Sequence, residues 1–205
     1  MSELKNIVIE VGVNRGQDTL RLCNTYGTDV HGFEPTPNLQ PKLKAMYGNH
    51  PRIHIHQAAV DITDGYSDFN VQDRKEGGGG ASSLYSFSTD IHETWADRTD
   101  FDFEETVKVK TTRLDTFLDT LKFKNISYLH CDAQGNDLNV LRSLGEYIDR
   151  VEAGQIEVAY TVELYSGNDN TVTVAQRWLQ DRGFTTTVKP DKVNKEADIH
   201  FTRAT

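Results

Sequence analysis

Three sets of residues in this 205-residue chain have types and spacings that could do chemistry. The first is Glu10-Val11-Gly12-Val13-Asn14-Arg15-Gly16. Glycine lets a backbone pass close to a ligand and take up positive φ. A dinucleotide fingerprint started at Gly12 would need glycine at 14 and 17, where the chain has Asn14 and Gln17. A pyrophosphate-cradling turn, and a nicotinamide-dependent oxidoreductase with it, is therefore disfavoured. The second is Glu34, followed by Pro35, whose carboxylate can accept hydrogen bonds from both hydroxyls of a ribose. The third is His130-Cys131-Asp132-Ala133-Gln134. A carboxylate at Asp132 could orient an amino group or take a proton from a hydroxyl. His130 is either a general base working near neutral pH or a core histidine satisfied by one hydrogen bond. Asp115 fits a helix cap better than a catalyst. Glu163 either faces the same crevice or ends a strand in solvent. The remaining histidines (His31, His54, His56, His92 and His200 among them) show no zinc-binding spacing.

These residues need elements to carry them. Ile7-Val8-Ile9 reads as a buried strand running into the Gly-containing turn, and a helix from Gln17 to Tyr26 places Leu20, Cys23 and Tyr26 at helical spacing until Gly27 stops it. A strand at 30–33, a helix at 38–47 and a strand at 53–56 follow, which is a βαβαβ order and hence a parallel sheet covered by helices. In that setting Glu10-x-Gly12-x-Asn14-x-Gly16 has the spacing of the turn typical of S-adenosylmethionine sites, which approaches a methionine portion. Further on, Val107–Lys110 alternates as a strand. Leu114, Phe117, Leu118 and Leu121 form an amphipathic stripe. Ile126 to Cys131 is a strand, Leu138, Leu141 and Leu144 mark a helix, and 155–164 reads as a strand ending near Glu163. A helix through Trp178 and Leu179 leads to two C-terminal strands at 184–188 and 197–201. Four consecutive glycines at 77–80, then Ser82 and Ser83, mark a flexible insertion at about 74–104, expected to act as a lid.

Composition narrows the classes further. The net charge is −9, so a nucleic-acid partner held mainly through phosphates is not expected. No apolar run approaches the roughly 20 residues of a membrane span, and the polar start has no signal-peptide core. Two distant cysteines, Cys23 and Cys131, are expected as reduced thiols in a cytoplasmic protein. The expectation is one domain over 1–205; the oligomeric state is open.

An ordered series of blocks resembles the FkbM family of methyltransferases. The blocks are Val11–Gly16, Phe33-Glu34-Pro35-Thr36-Pro37, Ala58-Ala59-Val60, Ser82-Ser83-Leu84, Thr112-Arg113-Leu114-Asp115 and Asp132–Asp137. The resemblance implies a class I methyltransferase fold: a Rossmann-like, three-layer αβα sandwich with a mostly parallel sheet and an antiparallel C-terminal strand. It also implies S-adenosyl-L-methionine as donor and a hydroxyl, on a sugar or other small molecule, as acceptor. By position it would set Glu10, Gly12, Val13, Asn14, Gly16 and Thr19 around the methionine end, Glu34 and Pro35 at the ribose and Ala59 near the adenine. Asp132 would touch the donor and, with His130, handle the proton, while Ser82, Ser83, Gln134 and Glu163 would face the acceptor. The family often has lysine where this chain has His130 and glutamate where it has Gln134. A non-catalytic protein that keeps the nucleoside pocket is the alternative from another class.

Overall fold

The computed structural model describes residues 4–72, 80–96, 101–103, 105–191 and 195–204. The first half runs β1 (Ile7–Val11), α1 (Thr19–Tyr26), β2 (Asp29–Phe33), α2 (Gln40–Tyr47), β3 (Ile53–His56), β4 (Ala59–Val60), β5 (Gly65–Val71) and α3 (Ile91–Thr94). The second half runs β6 (Glu105–Thr112), α4 (Leu114–Leu118), β7 (Ile126–Cys131), α5 (Asp137–Ser143), β8 (Ala153–Ala159), α6 (Val172–Gln180), β9 (Phe184–Asp191) and β10 (Glu196–Arg203). Seven strands form one sheet in the order β3-β2-β1-β7-β8-β10-β9. All neighbours from β3 to β8 are parallel, and β10 runs antiparallel to both β8 and β9.

All five residues of β1 are buried, as a strand covered on both faces requires. Its alternation divides the core. Ile7, Ile9 and Val11 pack with Leu138, Leu141, Leu118 and Leu179 of the α4–α5–α6 layer. Val8 packs with Leu22, Cys23, Leu43 and Tyr47 of the α1–α2 layer. The chain leaves β3 and returns on the other side of β1, so strand order reverses between β1 and β7. Such a reversal opens a crevice at the carboxyl ends of the two strands.

The residues between β3 and α4 build a second sheet, in the order β4-β6-β5, that the sequence pattern did not reveal beyond the strand at 107–110. Ala59, Phe69, Val71 and Val109 form its core. Of the expected insertion at 74–104, residues 74–79, which include three of the four lid glycines, 97–100 and 104 lie outside the described residues. The described part of the insertion carries Ile91, Trp95 and Phe101, which pack on Leu164 and Tyr165.

Two expectations change. The late strand ends at Ala159 instead of Leu164, and the chain turns away over the site. In α1 the buried residues are Thr19, Leu22 and Cys23, while Leu20 and Tyr26 face outward. Residues three apart drift on a helix, and 20 and 26 are roughly 120° apart, so they cannot share one narrow face. Tyr26 instead stacks on Tyr128 with centroids 5.3 Å apart.

At the β2–β3 edge, His31 stacks on His54 and His56, and its Nδ1 lies 3.2 Å from His56 Nε2. Burial, then the neighbouring histidines, push His31 down to about 3; burial, His54 and Lys110 push His56 down to about 4. Both stay neutral in the folded chain while the unfolded chain takes up protons below its ordinary value of 6.5. Their contribution to stability is therefore lost as pH falls from 6.5 towards 4. Relative to the parent, His31→Phe should gain about 2 kcal/mol between pH 7 and pH 5 in urea unfolding. A stability difference that does not change with pH would contradict it.

Candidate active site

The crevice is assembled by three backbone contacts. Gly12 and Val13 both donate to the Phe33 carbonyl, at 3.0 and 3.2 Å, and Asp132 donates to the Val11 carbonyl at 3.0 Å. The ends of β2, β1 and β7 are thereby stitched together. A side chain at Gly12 would put its Cβ 1.9 Å from the Asp132 carbonyl oxygen, and Gly12 has φ +83°. Only glycine fits there. Asn14 follows in the left-handed region, at φ 50°, which aims its amide inward.

That amide donates to Glu34 Oε2 at 2.7 Å, and the Thr36 amide donates to Glu34 Oε1 at 2.9 Å. Gln40 holds the same turn from behind by donating to the Glu34 carbonyl at 2.7 Å. The Thr36 side chain bonds the same carboxyl group, so three donors fix it and part of its acceptor capacity remains. Burial raises its pKa, and the Thr36 and Asn14 bonds act the other way.

A cleft opens in front of these groups. Glu34, Pro35 and Thr36 form one side, Ala58, Ala59 and Val60 an apolar wall, and Asp132 and Gln134 the far end. Ser82 and Leu84 close it from the insertion. Ser82 Oγ accepts from the Gln72 amide at 2.9 Å, and Ser83 Oγ donates to the Gln134 carbonyl at 2.6 Å.

Gly12, Asn14, Glu34, Pro35, Ala59, Ser82, Asp132 and Gln134 thus meet around one cleft, among the residues singled out from the sequence. Others stand apart. Val13 belongs to the core under α1 and α2. Gly16 packs on the Tyr47 ring, whose hydroxyl donates to its carbonyl at 2.7 Å. Ser83 is fully buried behind Gln134. Glu10 and Thr19 are buried on the α1 side of the sheet, and Glu10 Oε2 and Thr19 Oγ1 have no hydrogen-bond partner of normal geometry.

His130 does not join Asp132 in the cleft. Residues two apart share a face only while a strand continues, and β7 ends at Cys131. Asp132 follows the turn into the cleft, while His130 remains in the sheet, its Nδ1 buried without a partner. Burial lowers its pKa, with Asp18, Asp132 and Arg21 in its field. Glu163 also stands elsewhere: four residues past the end of β8, it is exposed beside a smaller hollow with Glu157, Tyr165 and Glu196.

Glu157 and Tyr165 carried no sequence signal, and Asn136 and Asp137 only that of the block they belong to. Gln134 Nε2 donates to Asp132 Oδ1 at 2.5 Å and to Glu157 Oε2 at 3.1 Å, and the Tyr165 hydroxyl donates to Gln134 Oε1 at 2.6 Å. Glu157 sits in an alternating strand whose polar side reads as solvent-facing. Asp137 accepts from the amides of Ala133 and Glu157, each at 3.2 Å, and burial then Asp132 raise it to about 7. Asn136, within a noted block, ties the cleft to β4 by donating to the Val60 carbonyl at 2.8 Å.

The sheet order and the strand-end cleft define the class I, Rossmann-like methyltransferase fold. The chain belongs to the methyltransferase FkbM domain family, whose sequence pattern matches residues 10–186. Solved structures agree on the fold. An rRNA methylase from Streptococcus thermophilus is 12% identical, with 99% of this chain and 89% of that one covered and a TM-score of 0.52. A methyltransferase from Streptococcus mutans in complex with SAH is also 12% identical, with 98% and 91% covered and a TM-score of 0.52. Aeropyrum pernix fibrillarin, with natively bound S-adenosyl-L-methionine, is 10% identical, with 98% and 67% covered and the same TM-score. A search of curated proteins finds no match. No helix among the described residues is long and apolar enough to cross a membrane.

Glu10 supplies a test of this packing. Burial raises its carboxyl to about 8, so it is protonated in the folded chain at pH 7 and ionised in the unfolded chain above 4.5. Its effect on stability worsens as pH rises from 4.5 to 8. Glu10→Gln should therefore gain on the parent by about 2–4 kcal/mol between pH 5 and pH 8 in denaturant unfolding. Equal pH dependence of the two proteins would refute the assignment.

Proposed function

We propose that the protein is an S-adenosyl-L-methionine-dependent O-methyltransferase acting on a small hydroxyl compound such as a sugar. The observation that carries this reading is the Glu34 carboxyl group, oriented by two backbone amides and the Thr36 side chain at the lining of the cleft. That acceptor suits the hydroxyls of a ribose, and the Ala58–Ala59–Val60 wall suits a flat base. Asn14 Oδ1, buried without a partner, offers a further acceptor beside the glycine turn. When bound, the cofactor supplies a methyl carbon activated by a sulfonium, the carbon–sulfur electron pair leaving with sulfur.

The chain's own residues do the rest. Glu34, Asn14 and the glycine turn orient the nucleoside, and good orientation alone can be worth roughly 7–11 kcal/mol. Asp132 takes the proton from the acceptor hydroxyl, and His130, which does not line the cleft, does not touch the acceptor. Ser82 and Gln134 border the acceptor's side, with Ser83 supporting Gln134 from behind. A net charge of −9 and an acidic cleft end favour a small acceptor over a nucleic acid. The same reading takes residues 1–205 as one domain and, with Cys23 and Cys131 free and buried, a reducing, cytoplasmic setting.

Glu34→Ala should weaken S-adenosyl-L-methionine binding by about 1.5–3 kcal/mol, the value of hydrogen bonds to a charged group. Titration calorimetry on the parent and the variant measures it. Equal affinities would remove Glu34 from the ribose, and no binding by the parent would reject the reading.

A further inference from the structure

Glu157 lies behind the cleft, with Gln134 between the cleft and a smaller hollow. Gln134 spends both amide hydrogens on carboxyl groups, one on Asp132 and one on Glu157. Its own oxygen is occupied by the Tyr165 hydroxyl, which fixes which end of the amide faces the acids. The backbone of Gln134 is held too, at φ 49° and by Ser83 on its carbonyl. Two acids are thus clamped together by a donor that cannot turn away.

We propose that Glu157 is a positioning residue for Asp132: the two carboxyl groups hold one proton between them, resident on Glu157, which keeps Asp132 ionised and aimed at the cleft. This rests on the reading of Asp132 as the proton acceptor.

Two ionised carboxylates held on one amide nitrogen repel strongly, so the pair retains one proton. The surroundings decide where it stays. Glu157 on β8 is faced by Asp132, by Asp137 of α5 and by Glu196 and Asp198 of β10, and these acids add to burial in raising its pKa. Tyr165, on the loop after β8, is buried in the same field. Burial raises Asp132 as well, but the Gln134 amide, His130 and the Glu157 carboxyl within hydrogen-bond reach favour its charge, whereas the neighbours of Glu157 all act against the charge there. Glu157 therefore donates and Asp132 accepts. During transfer the proton lost by the acceptor hydroxyl bonds to Asp132 while its oxygen bonds to the methyl carbon, and nothing is oxidised or reduced. Gln134 suits this position because glutamate would place a third carboxyl group where the clamp needs two donors.

Carbon-13 NMR of the side-chain carboxyl groups tests the pairing on the full chain without donor, from low to high pH. Asp132→Asn and Glu157→Gln assign the signals. In the parent, the Asp132 and Glu157 signals should move together in two steps. In Glu157→Gln the Asp132 signal should titrate in one step, displaced by about one pH unit or more. In Asp132→Asn the Glu157 signal should do the same, so either variant suffices if the other fails to fold. Independent single steps in the parent, unmoved by changing the partner, would overturn the proposal. Calorimetry with S-adenosyl-L-methionine on the same parent sample separates the two readings. Binding with independent titration rejects the pairing alone, and shared titration without binding upholds the pairing and rejects the cofactor.

Discussion

The contact between the Gly12 backbone and the Asp132 carbonyl is the constraint from which the site follows. With no side chain at 12, the ends of β1 and β7 approach to a distance that any Cβ would forbid. The approach lets Asp132 bond Val11 and lets Gly12 and Val13 share the Phe33 carbonyl. Three strand ends then hold their following loops at fixed separations. Asn14 can reach Glu34 only because the turn between them is anchored in this way.

A second consequence is electrostatic. The cleft end and the α1 side of the sheet gather Glu10, Glu34 and Asp137 in buried positions and Asp132 and Glu157 in half-buried ones, and loss of contact with water is the largest cause of the upward shift in each. Such groups persist where backbone amides or a side-chain amide meet them. Glu34 has two backbone amides, Asp137 has two, and Asp132 shares the Gln134 amide with Glu157. Glu10 lacks such partners of normal geometry, and it is pushed up to about 8.

The insertion makes the cleft a pocket. The second sheet beside it supplies Phe69 to the lining, and the 80s segment ties to the β7–α5 loop through Ser83 and to the β8–α6 loop through the Phe87–Tyr165 bridge. Tyr165 belongs at once to the aromatic core of this insertion and to the hydrogen-bond chain ending at Asp132 and Glu157. Packing of the insertion and the polar geometry of the cleft are therefore coupled through one side chain.

The sequence by itself determined what depends on neighbours along the chain. The Gly12–Gly16 turn, the βαβαβ opening, the strand ending at Cys131 and the placement of Glu34 at a strand end are all local patterns of period and turn chemistry. The ordered blocks extend that legibility to the family. Tertiary structure alone decided which side chains share a space. His130 parted from Asp132 because the strand stopped between them, and where a side chain points after a strand end is not written in the period of the strand. Glu157 joined Asp132 because β8 lies next to β7, and a polar residue in an alternating strand reads the same whether water or a buried amide faces it. Glu163 was lost to the site for the converse reason: a strand-like run continued in sequence after its sheet partners had ended. Hydrophobic spacing records burial along one element, whereas the partners of a buried acid are set by contacts between elements far apart in the chain.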